Sequence, residues 1–500
     1  MKINKLLSVI LLALMASLIV FPVASLAQTY IDVPPGFSTL NDAIKNNTNP
    51  NVIFRLKRGP TGVYLLNGSI EVTSPLKIEA EAGTGSRPQL IPAVGSGGVT
   101  DIPFRIKADL SLKGLYVTSK DELGAYLSQI LRISADNVTL NIDDCFLENT
   151  AQSIIRTDNK LAKIYLRNST MRNAASDWNN GRGVDDRGVD MDILYVENCT
   201  IYSIASRFLR DGGGYIKKAF FNHNTFVHTG FRLLDVGECA DLTFTNNLVI
   251  NCGFLGREVT STDCQITMKP LTNSVFQGVT QKFLSRNNNF MISSDYYSAY
   301  PSGVVVIPWY DDYTKALVDA SGFDNTNIAE YIEFKTPPPS LKSVIPLYWN
   351  DPLRGSGTTA INIRSNGTYD FSYATTYKSF SYGTDGKPLG ATSWFGINTN
   401  VDAVTELPTD FILEQNYPNP FNPTTNIKYS LPVASNVKVE IFNTLGQLVN
   451  TIVNQYQNAG TYNATWNGTD LYGNQVSTGV YIYKLTTDNF VSAKKMILIK

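Results

Sequence analysis

"DILYVENCTIYS", residues 192–203, alternates apolar and polar side chains up to Asn198 and then resumes with another apolar step. Four other stretches align with it: "VTLNIDDCFLEN" (138–149), "AKIYLRNSTMRN" (162–173), "KAFFNHNTFVHT" (218–229) and "DLTFTNNLVINC" (241–252). The equivalent polar residues recur at similar intervals along the chain, and they are Asp144, Asn168, Asn198, His223 and Asn246. This regular spacing indicates one structural unit per repeat.

Alternation of this kind predicts short strands with one buried face, which one or two strands cannot bury alone. Stacked repeats can, because each strand pairs with its counterparts above and below at about 4.8 Å. We therefore predict an all-β fold dominated by a parallel β-solenoid. The polar position is expected to be an inward turn, where a short side chain bonds to its own backbone and to the next repeat.

Weaker copies of the repeat extend the solenoid in both directions. They are "SPLKIEAEAG" (74–83), "ADLSLKGLYVTS" (108–119) and "FLSRNNNFMIS" (283–293). The solenoid is predicted from about residue 50 into the 390s, with long excursions between 265 and 370. "PGFSTLNDAIKNN" (35–47) predicts an N-capped amphipathic helix, beginning at Ser38 or Thr39, that covers the open end of the column.

The pattern changes after Phe411, where short strands recur at roughly ten-residue intervals between Gly, Asn and Pro residues. Val437, Val439 and Ile441 alternate with charged side chains, which is typical of a small antiparallel sandwich of immunoglobulin-like type. The preceding "EQNYPNPFNPTTNIKYSLP" (414–432) is rich in proline, which removes amide donors and favours an extended chain.

The N-terminus predicts export. Lys2 and Lys5 precede an apolar run over residues 6–23, and a small-x-small cleavage site ends at Ala27. We predict a signal peptide, with an uncleaved membrane anchor as the alternative, and no transmembrane segment after cleavage. The net charge of −1 gives no electrostatic reason to expect nucleic-acid binding.

These observations divide the chain into four predicted parts. They are a signal peptide (1–27), a β-solenoid domain with its cap helix (28–398), a linker (399–410) and the β-sandwich domain (411–500).

The solenoid region resembles a known family. The cap "TLNDAI" (39–44), the stretch "VIFRLKRGPTGVYLLNGSIEVTSPLKIEAEAGTGSRPQL" (52–90) and the turn "NCT" (198–200) resemble right-handed parallel β-helix proteins of the pectin-lyase-like superfamily, in the chondroitinase-B-like branch. "SYGTDGKPLGATSWFG" (381–396) resembles the last turn of such domains. The resemblance implies the fold and an acidic polysaccharide as ligand, but the branch's Asn, Glu and Lys catalytic pattern is not found here.

The C-terminal region resembles the type A sorting domain of the type IX secretion system. The motifs occur in that family's order: "LEQNYPNPFNPTTNIKYSLP" (413–432), "IFNTLGQLV" (441–449), "GTYNATWNGTDLYGNQVSTGVYIYKL" (460–485) and "KKMILIK" (494–500). This resemblance implies passage through the type IX machinery to the outer surface or the medium of a Bacteroidetes-like Gram-negative cell. By this resemblance the C-terminal domain is the sorting signal and the β-helix is the exported domain.

A column of charge is predicted on one face of the solenoid. Arg156, Arg210 and Asp235 follow the polar positions of their repeats at one common offset, so they should stack. The intervening repeat is longer, which brings its "GRGVDDRG" (181–188) close to them, and Arg207 and Arg232 share a second, shorter offset. Stacked arginines repel one another unless acids or an anionic ligand neutralise them.

Two interpretations of this column stay open. One is a ladder of structural ion pairs, and the other is a site for acidic sugars in which arginines grip carboxylates. In the second, Arg187 and Arg210 are the candidate catalytic residues. Arg156, Arg182, Arg207 and Arg232 are the candidate substrate-binding residues. Asp185, Asp211 and Asp235 are candidate ligands of a metal, for which Ca²⁺ is suitable.

Whether the protein is an enzyme is left open by the sequence. A polysaccharide lyase is favoured over a glycoside hydrolase, which would rest on "RTDNK" (156–160) and "VDDRG" (184–188). A non-catalytic surface carbohydrate-binding protein or adhesin is the alternative.

Register arguments also predict the state of the cysteines. Cys239 and Cys264 follow their polar positions at nearly the same offset, which places them on adjacent turns within disulfide range. Cys145 and Cys199 share a register two turns apart, so they are expected to be unpaired. His223 is expected to be a structural hydrogen-bonding residue.

Overall fold

The structure is a computed structural model that describes residues 29–499 except 95–99, 175–179, 353, 355–362, 398–410, 432–434, 458–459 and 488–489. The predicted signal peptide and the predicted linker lie outside the described residues. Within the described part of the chain, no helix is long and apolar enough to cross a membrane.

The described residues between 29 and 397 contain short strands and four α-helices. The helices are α1 (Thr39–Lys45), α2 (Ser294–Tyr297), α3 (Asp312–Ala320) and α4 (Val344–Trp349). The strands are β1 (Thr29–Val33), β2 (Gly36–Phe37), β3 (Val52–Leu56), β4 (Val63–Asn67), β5 (Ile70–Val72), β6 (Leu76–Ala80), β7 (Gln89–Ala93), β8 (Phe104–Ile106), β9 (Leu110–Lys113), β10 (Tyr116–Thr118), β11 (Gln129–Ile133), β12 (Thr139–Asp143), β13 (Phe146–Thr150), β14 (Ser153–Thr157), β15 (Ala162–Arg167), β16 (Thr170–Ala174), β17 (Arg182–Asp185), β18 (Met191–Glu197), β19 (Thr200–Ile204), β20 (Arg207–Arg210), β21 (Tyr215–Asn222), β22 (Thr225–Thr229), β23 (Leu234–Thr245), β24 (Leu248–Ile250), β25 (Arg257–Glu258), β26 (Ile266–Lys269), β27 (Lys282–Arg286), β28 (Asn289–Met291) and β29 (Val304–Val305).

Parallel pairing between successive turns arranges these strands on three faces. The first face contains β5, β8, β11, β14, β17, β20, β23 and β26. The second contains β1, β3, β6, β9, β12, β15, β18, β21, β23 and β27, and the third contains β2, β4, β7, β10, β13, β16, β19, β22, β24 and β28. The long strand β23 turns the corner between the first two faces. The predicted all-β fold with a parallel β-helix is confirmed.

The register agrees with the spacing read from the sequence. On the third face, Phe146 lies opposite Thr170, Thr170 opposite Thr200, and Thr200 opposite Thr225. The steps between these partners equal the intervals between the predicted polar positions of the same repeats. The apolar residues that alternate inward form one continuous core from Val33 to Val318.

The predicted polar positions form a backbone turn between the second and third faces. Asp144, Asn168, Asn198, His223 and Asn246 all have φ between 50° and 57°, the left-handed region that Asn and Asp tolerate best. The prediction that these side chains point inward is wrong by one residue. The left-handed turn places the next residue on the inside, where Cys145, Cys199 and Asn224 are buried.

The inward residues form an interior asparagine ladder of Asn224, Asn247, Asn288 and Asn327. The backbone amide of each asparagine donates to Oδ1 of the next one in the ladder. The distance is 2.9 Å from Asn224 to Asn247 and 2.9 Å from Asn247 to Asn288. The side chain of Asn247 also donates to the carbonyl of Phe221 at 3.1 Å. A buried amide that finds no acceptor costs about 1–3 kcal/mol, so the ladder stabilises each turn.

Helices close both ends of the column. Leu40 of α1 is buried in the core, and Ala43 and Ile44 pack against it, as the sequence predicted. Ser38 precedes the helix but makes no side-chain capping bond. At the other end, α3 places Val318 in the same core.

The regular strands end at Met291, so the solenoid stops well before the 390s. Residues 363–397 instead cross the third face along the axis of the solenoid. Asn246 bonds to Thr384, and Oδ1 of Asn198 accepts the amide of Thr392 at 2.6 Å. We call residues 363–397 the strap. "SYGTDGKPLGATSWFG" belongs to this strap over several turns and is not the last turn of the solenoid.

The predicted disulfide between Cys239 and Cys264 is wrong. All five cysteines are free and buried. Leu234 lies opposite Ile266, which is a longer step than on the preceding turns, because the loop after Asn251 lengthens this turn. Cys264 therefore precedes Ile266, the partner of Leu234, whereas Cys239 follows Glu238, the partner of Lys269, so the two cysteines are not at equivalent positions. Cys145 and Cys199 are unpaired, as predicted.

Residues 411–499 form an antiparallel β-sandwich with a core of its own, which confirms the predicted second fold. Its strands are β30 (Ile412–Leu413), β31 (Thr425–Leu431), β32 (Ser435–Asn443), β33 (Leu448–Gln457), β34 (Gly460–Trp466), β35 (Gly479–Thr486) and β36 (Val491–Leu498). They pair as β30-β31-β34 and β33-β32-β35-β36. The proline-rich stretch joins the two sheets, since Tyr417 pairs with Asn426 and the amide of Phe421 bonds to Ile497.

We predict that Asn247→Ala lowers the free energy of unfolding by about 3 kcal/mol, because it leaves the amide of Asn224 and the carbonyl of Phe221 unpaired in the core. Chemical denaturation of the β-helix measures this. Asn159→Ala, which removes a surface hydrogen bond to Asp136, is the control and should change the same quantity by less than about 0.5 kcal/mol. Equal effects of the two changes would contradict the role given to the ladder.

Candidate functional site: an arginine strip on the first face

The structure places the predicted charged residues side by side on the first face. Arg156 lies opposite Asp185, Asp185 opposite Arg210, and Arg210 opposite Asp235. Arg182 lies opposite Arg207 in the neighbouring column. The column of charged residues that the sequence predicted is therefore present, and Asp185 of the longer repeat lies between Arg156 and Arg210 in it.

Six arginines define what we call the arginine strip: Arg132, Arg156, Arg182, Arg207, Arg210 and Arg232. Their guanidinium groups are paired with aspartates, most of which are shared by two arginines. Asp158 bonds to Arg132 and Arg156 at 2.6 and 2.7 Å.

The same arrangement continues along the strip. Asp185 bonds to Arg182 at 2.7 Å and to Arg210 at 3.1 Å. Asp235 bonds to Arg207 at 2.8 Å and to Arg232 at 3.5 Å, and Arg232 also bonds to Asp263. The strip thus contains six arginines and four aspartates, and each of three aspartates bridges two arginines.

The arginines differ in how far they reach into solvent. The side chain of Arg182 is nearly buried, and those of Arg207, Arg210 and Arg232 are 24–30% exposed. Burial lowers the pKa of Arg182 and Arg207, and nearby arginines add to this, against the opposing charge of their aspartate partners. Like charges are therefore held close together, as the spacing predicted.

Arg187 differs from the arginines of the strip. Its backbone is in the left-handed region and lies against Gly212, and its side chain is exposed. Asp211 is also separate: its carboxylate bonds to the amide of Gly213 and lies 3.6 Å from Lys269.

Asp211 and Asp186 form a buried acidic pair under the turns that follow β17 and β20. Asp186 accepts the amides of Gly188 and Gly212 at 2.9 and 2.7 Å. Burial raises the pKa of Asp186 to about 7, and the charge of Asp211 adds to this rise; burial also raises the pKa of Asp211. Gly237 leaves room for the pair, since a Cβ there would lie 2.0 Å from Oδ2 of Asp211.

The predicted metal ligands do not come together. Asp185 and Asp235 are engaged by arginines and Asp211 faces Asp186, and no group of three or more candidate ligands is found among the described residues. Of the carboxylates behind the hydrolase alternative, Asp158 and Asp185 are ion-paired with arginines of the strip, and Asp186 belongs to the buried acidic pair.

His223 is a hydrogen-bonding residue of the fold, as expected. Its ring nitrogens contact the carbonyl of Pro388 at 3.1 Å and the carboxylate of Asp385 at 3.2 Å, both on the strap. Sequence reasoning considered Asp158 and Asp186 only as parts of "RTDNK" and "VDDRG", and it missed Arg132 and Asp263. Asp263 lies in a loop outside the repeat.

Comparison with known proteins gives local likenesses. The model of the FlgD Ig-like domain matches residues 422–489, within the sandwich. Dimeric latent PorU from Porphyromonas gingivalis aligns at 29% identity and a TM-score of 0.16, over 18% of this chain and 9% of PorU. PorZ of the same organism, described as an essential surface component of the type-IX secretion system, aligns at 22% identity and a TM-score of 0.14, over 17% and 11%. The chain thus spans about a tenth of either neighbour, and no curated protein matches it.

The acidic pair predicts a pH dependence of stability. A carboxyl group whose pKa rises on folding stabilises the fold at low pH, and this contribution is lost as the pH rises through about 7 for Asp186. Asp186→Asn mimics the protonated form, so it should raise the free energy of unfolding at pH 8 by about 2 kcal/mol and leave it nearly unchanged at pH 4.

Denaturation at the two pH values measures this effect. The control is Asp136→Asn, at an exposed carboxylate, which should shift both values little. A variant at Asp186 that is less stable than the parent at pH 8 would contradict the assignment.

Proposed function

We propose that this protein is a cell-surface or secreted β-helix protein that the type IX secretion system exports, and that its arginine strip binds acidic polysaccharide. The host would be a Gram-negative, Bacteroidetes-like bacterium. The shared pairing of the strip is the observation that carries the binding proposal, and the ordered C-terminal motifs carry the export proposal.

Support for export comes from the second domain. The motifs that resemble a type A sorting domain fall on the elements of one sandwich, whose buried residues form a cluster separate from that of the β-helix. A separate core allows the sandwich to fold and be recognised by itself. The FlgD Ig-like match agrees with a compact domain at this position.

Support for binding comes from the charge of the strip. Within the strip, six arginines face four aspartates, an excess of two positive charges in a protein whose net charge is −1. The side chains of Arg207, Arg210 and Arg232 are 24–30% exposed, so the carboxylates of a uronate chain can reach them. Such bidentate, charge-assisted bonds are the strong ones.

The geometry favours binding over cleavage. A lyase needs a neutral base to take the proton at C5 of the uronate, but a guanidinium group in a protein does not lose its proton. Arg210 is paired with Asp185 at 3.1 Å. We therefore favour a binding protein of adhesin type over a polysaccharide lyase.

For binding, we predict that Arg210→Ala weakens the affinity for a uronate oligosaccharide by about 2 kcal/mol, the order of one charge-assisted hydrogen bond. Stability should change little, because Asp185 keeps its bond to Arg182. Isothermal titration calorimetry and thermal denaturation measure the two quantities.

The control is Arg55→Ala, which removes an arginine paired with Asp32 outside the strip and should leave affinity unchanged. If the parent protein binds no uronate oligosaccharide, the strip is a purely structural ladder. A rise in unsaturated-uronate absorbance with the parent would instead establish a lyase.

For export, we predict that deletion of residues 411–500 leaves a folded β-helix, because the β-helix and the sandwich have separate cores. The truncated protein should stay in the periplasm, because it lacks the proposed sorting signal. Fractionation of a type IX-secreting host, with circular dichroism of the purified fragment, measures location and folding. Surface delivery of the truncated protein would show that the sandwich is not the sorting signal.

A further inference from the structure

Three aromatic side chains form a column on the second face of the β-helix, and we call them the aromatic column. They are Tyr165 of β15, Tyr195 of β18 and Phe220 of β21, which lie opposite one another in register. The rings of Tyr195 and Phe220 are nearly parallel, with their centroids 4.6 Å apart. The centroids of Tyr165 and Tyr195 are 6.0 Å apart.

Strand alternation directs the aromatic column away from the core of the β-helix. Leu194 and Val196, on either side of Tyr195, belong to the continuous core, whereas the column forms a small cluster of its own. Successive side chains of a strand point to opposite faces of the sheet, so the rings project outward. On the turns that flank the column, the same position is occupied by the polar residues Asn141 and Thr243.

The aromatic column is nevertheless covered. Its three residues are only 0–5% exposed. Cζ of Arg167 lies 4.7 Å from the ring centre of Tyr195, and Arg167 is only 8% exposed although it also points outward. Side chains on the outer face of a sheet are buried to this extent only when another layer packs on them. Another part of the protein therefore lies on the column.

One end of the sandwich is buried as well. At this end β31 and β35 stop and β32 and β34 begin, as their antiparallel register shows. Ser435, the first residue of β32, is 1% exposed. At the opposite end, Leu445 between β32 and β33 is 81% exposed and Tyr472 between β34 and β35 is 89% exposed. The two ends of the sandwich thus differ in how far they reach into solvent.

Tyr462 connects the two buried surfaces. It is the third residue of β34 and so belongs to the buried end of the sandwich. Burial raises the pKa of Tyr195, and the charges of Glu197 and Tyr462 add to this rise. A neighbouring charge has such an effect only at short range, so the phenol groups of Tyr195 and Tyr462 lie close to each other.

We propose that the aromatic column is the docking surface on which the β-helix holds its own C-terminal sandwich. The sandwich packs on the second face with the end that contains Ser435 and Tyr462. Because the two domains belong to one chain, a short linker gives the sandwich an effective concentration of about millimolar, so a small aromatic interface is enough. The docked sandwich leaves the arginine strip of the first face uncovered and its own opposite end exposed.

Site-specific photo-cross-linking of the full mature chain identifies what covers the column. p-Benzoylphenylalanine in place of Ile193, a partly buried residue that packs against the column, should capture peptides from residues 411–499. A mixture of isotopically labelled and unlabelled protein distinguishes capture within one chain from capture between two copies. Capture of β-helix peptides alone, or capture only between copies, would overturn the proposal.

Hydroxyl-radical footprinting of two full-length variants tests the interface from the side of the sandwich. Phe220→Glu places a charge in the column but not in the core, so the sandwich should undock and the oxidation rate of Tyr462 should rise at least about twofold. The matched control is Ser111→Glu on β9, at the position that lies opposite Asn141, and it should leave this rate unchanged.

Circular dichroism checks that both variants are folded. Equal oxidation of Tyr462 in the two folded variants would show that the sandwich does not dock on the column. If Phe220→Glu does not fold, the cross-link from Ile193 decides between the outcomes by itself.

Discussion

The β-helix depends on one recurring hydrogen bond, from the backbone amide that follows most of the left-handed turns to a side chain of the next turn. Ser169 accepts this amide from Cys145, and Asn224 accepts it from Cys199, both at 3.0 Å. From Asn224 onward the interior asparagine ladder continues the series. A slip of one residue would move these acceptors to the outside and leave the buried amides that they accept unpaired.

Once this bond sets the register of the turns, the positions of the charged side chains on the first face are fixed as well. Stacked turns bring arginines opposite arginines, and the protein offsets the repulsion with aspartates that bridge two arginines at a time. The same sharing explains why the column is only partly neutralised. Arg207, Arg210 and Arg232 stay partly exposed beside these aspartates, and the anionic ligand that we propose would contact them there.

The strap provides hydrogen-bond partners for the polar side chains of the left-handed turns. Left-handed turns project polar side chains from Asn198, His223 and Asn246 in a row, and the strap satisfies them with its own backbone and side chains. It also covers the apolar residues of the third face, where Tyr202 and Ile250 pack with Phe371. The third face is thus closed by the chain itself, while the first face keeps a partly exposed strip.

The sequence by itself determined the elements that rest on local periodicity: the repeat and its step, the cap helix, the charged column and the separate sandwich. Each follows from alternation or spacing along a few residues, so no distant contact is needed to read it. Only the tertiary structure decided the partners of those residues.

Three outcomes show why. The inward position lay one residue later than expected because a positive φ at Asn198 rotates the next side chain into the core. Cys239 and Cys264 are apart because a loop insertion shifts one turn against the other. His228 pairs with Tyr296 on a distant segment, and Arg232 with Asp263 across a loop, and no period relates them. Such contacts depend on where excursions return to the column, which is set by packing between distant segments rather than by the repeat.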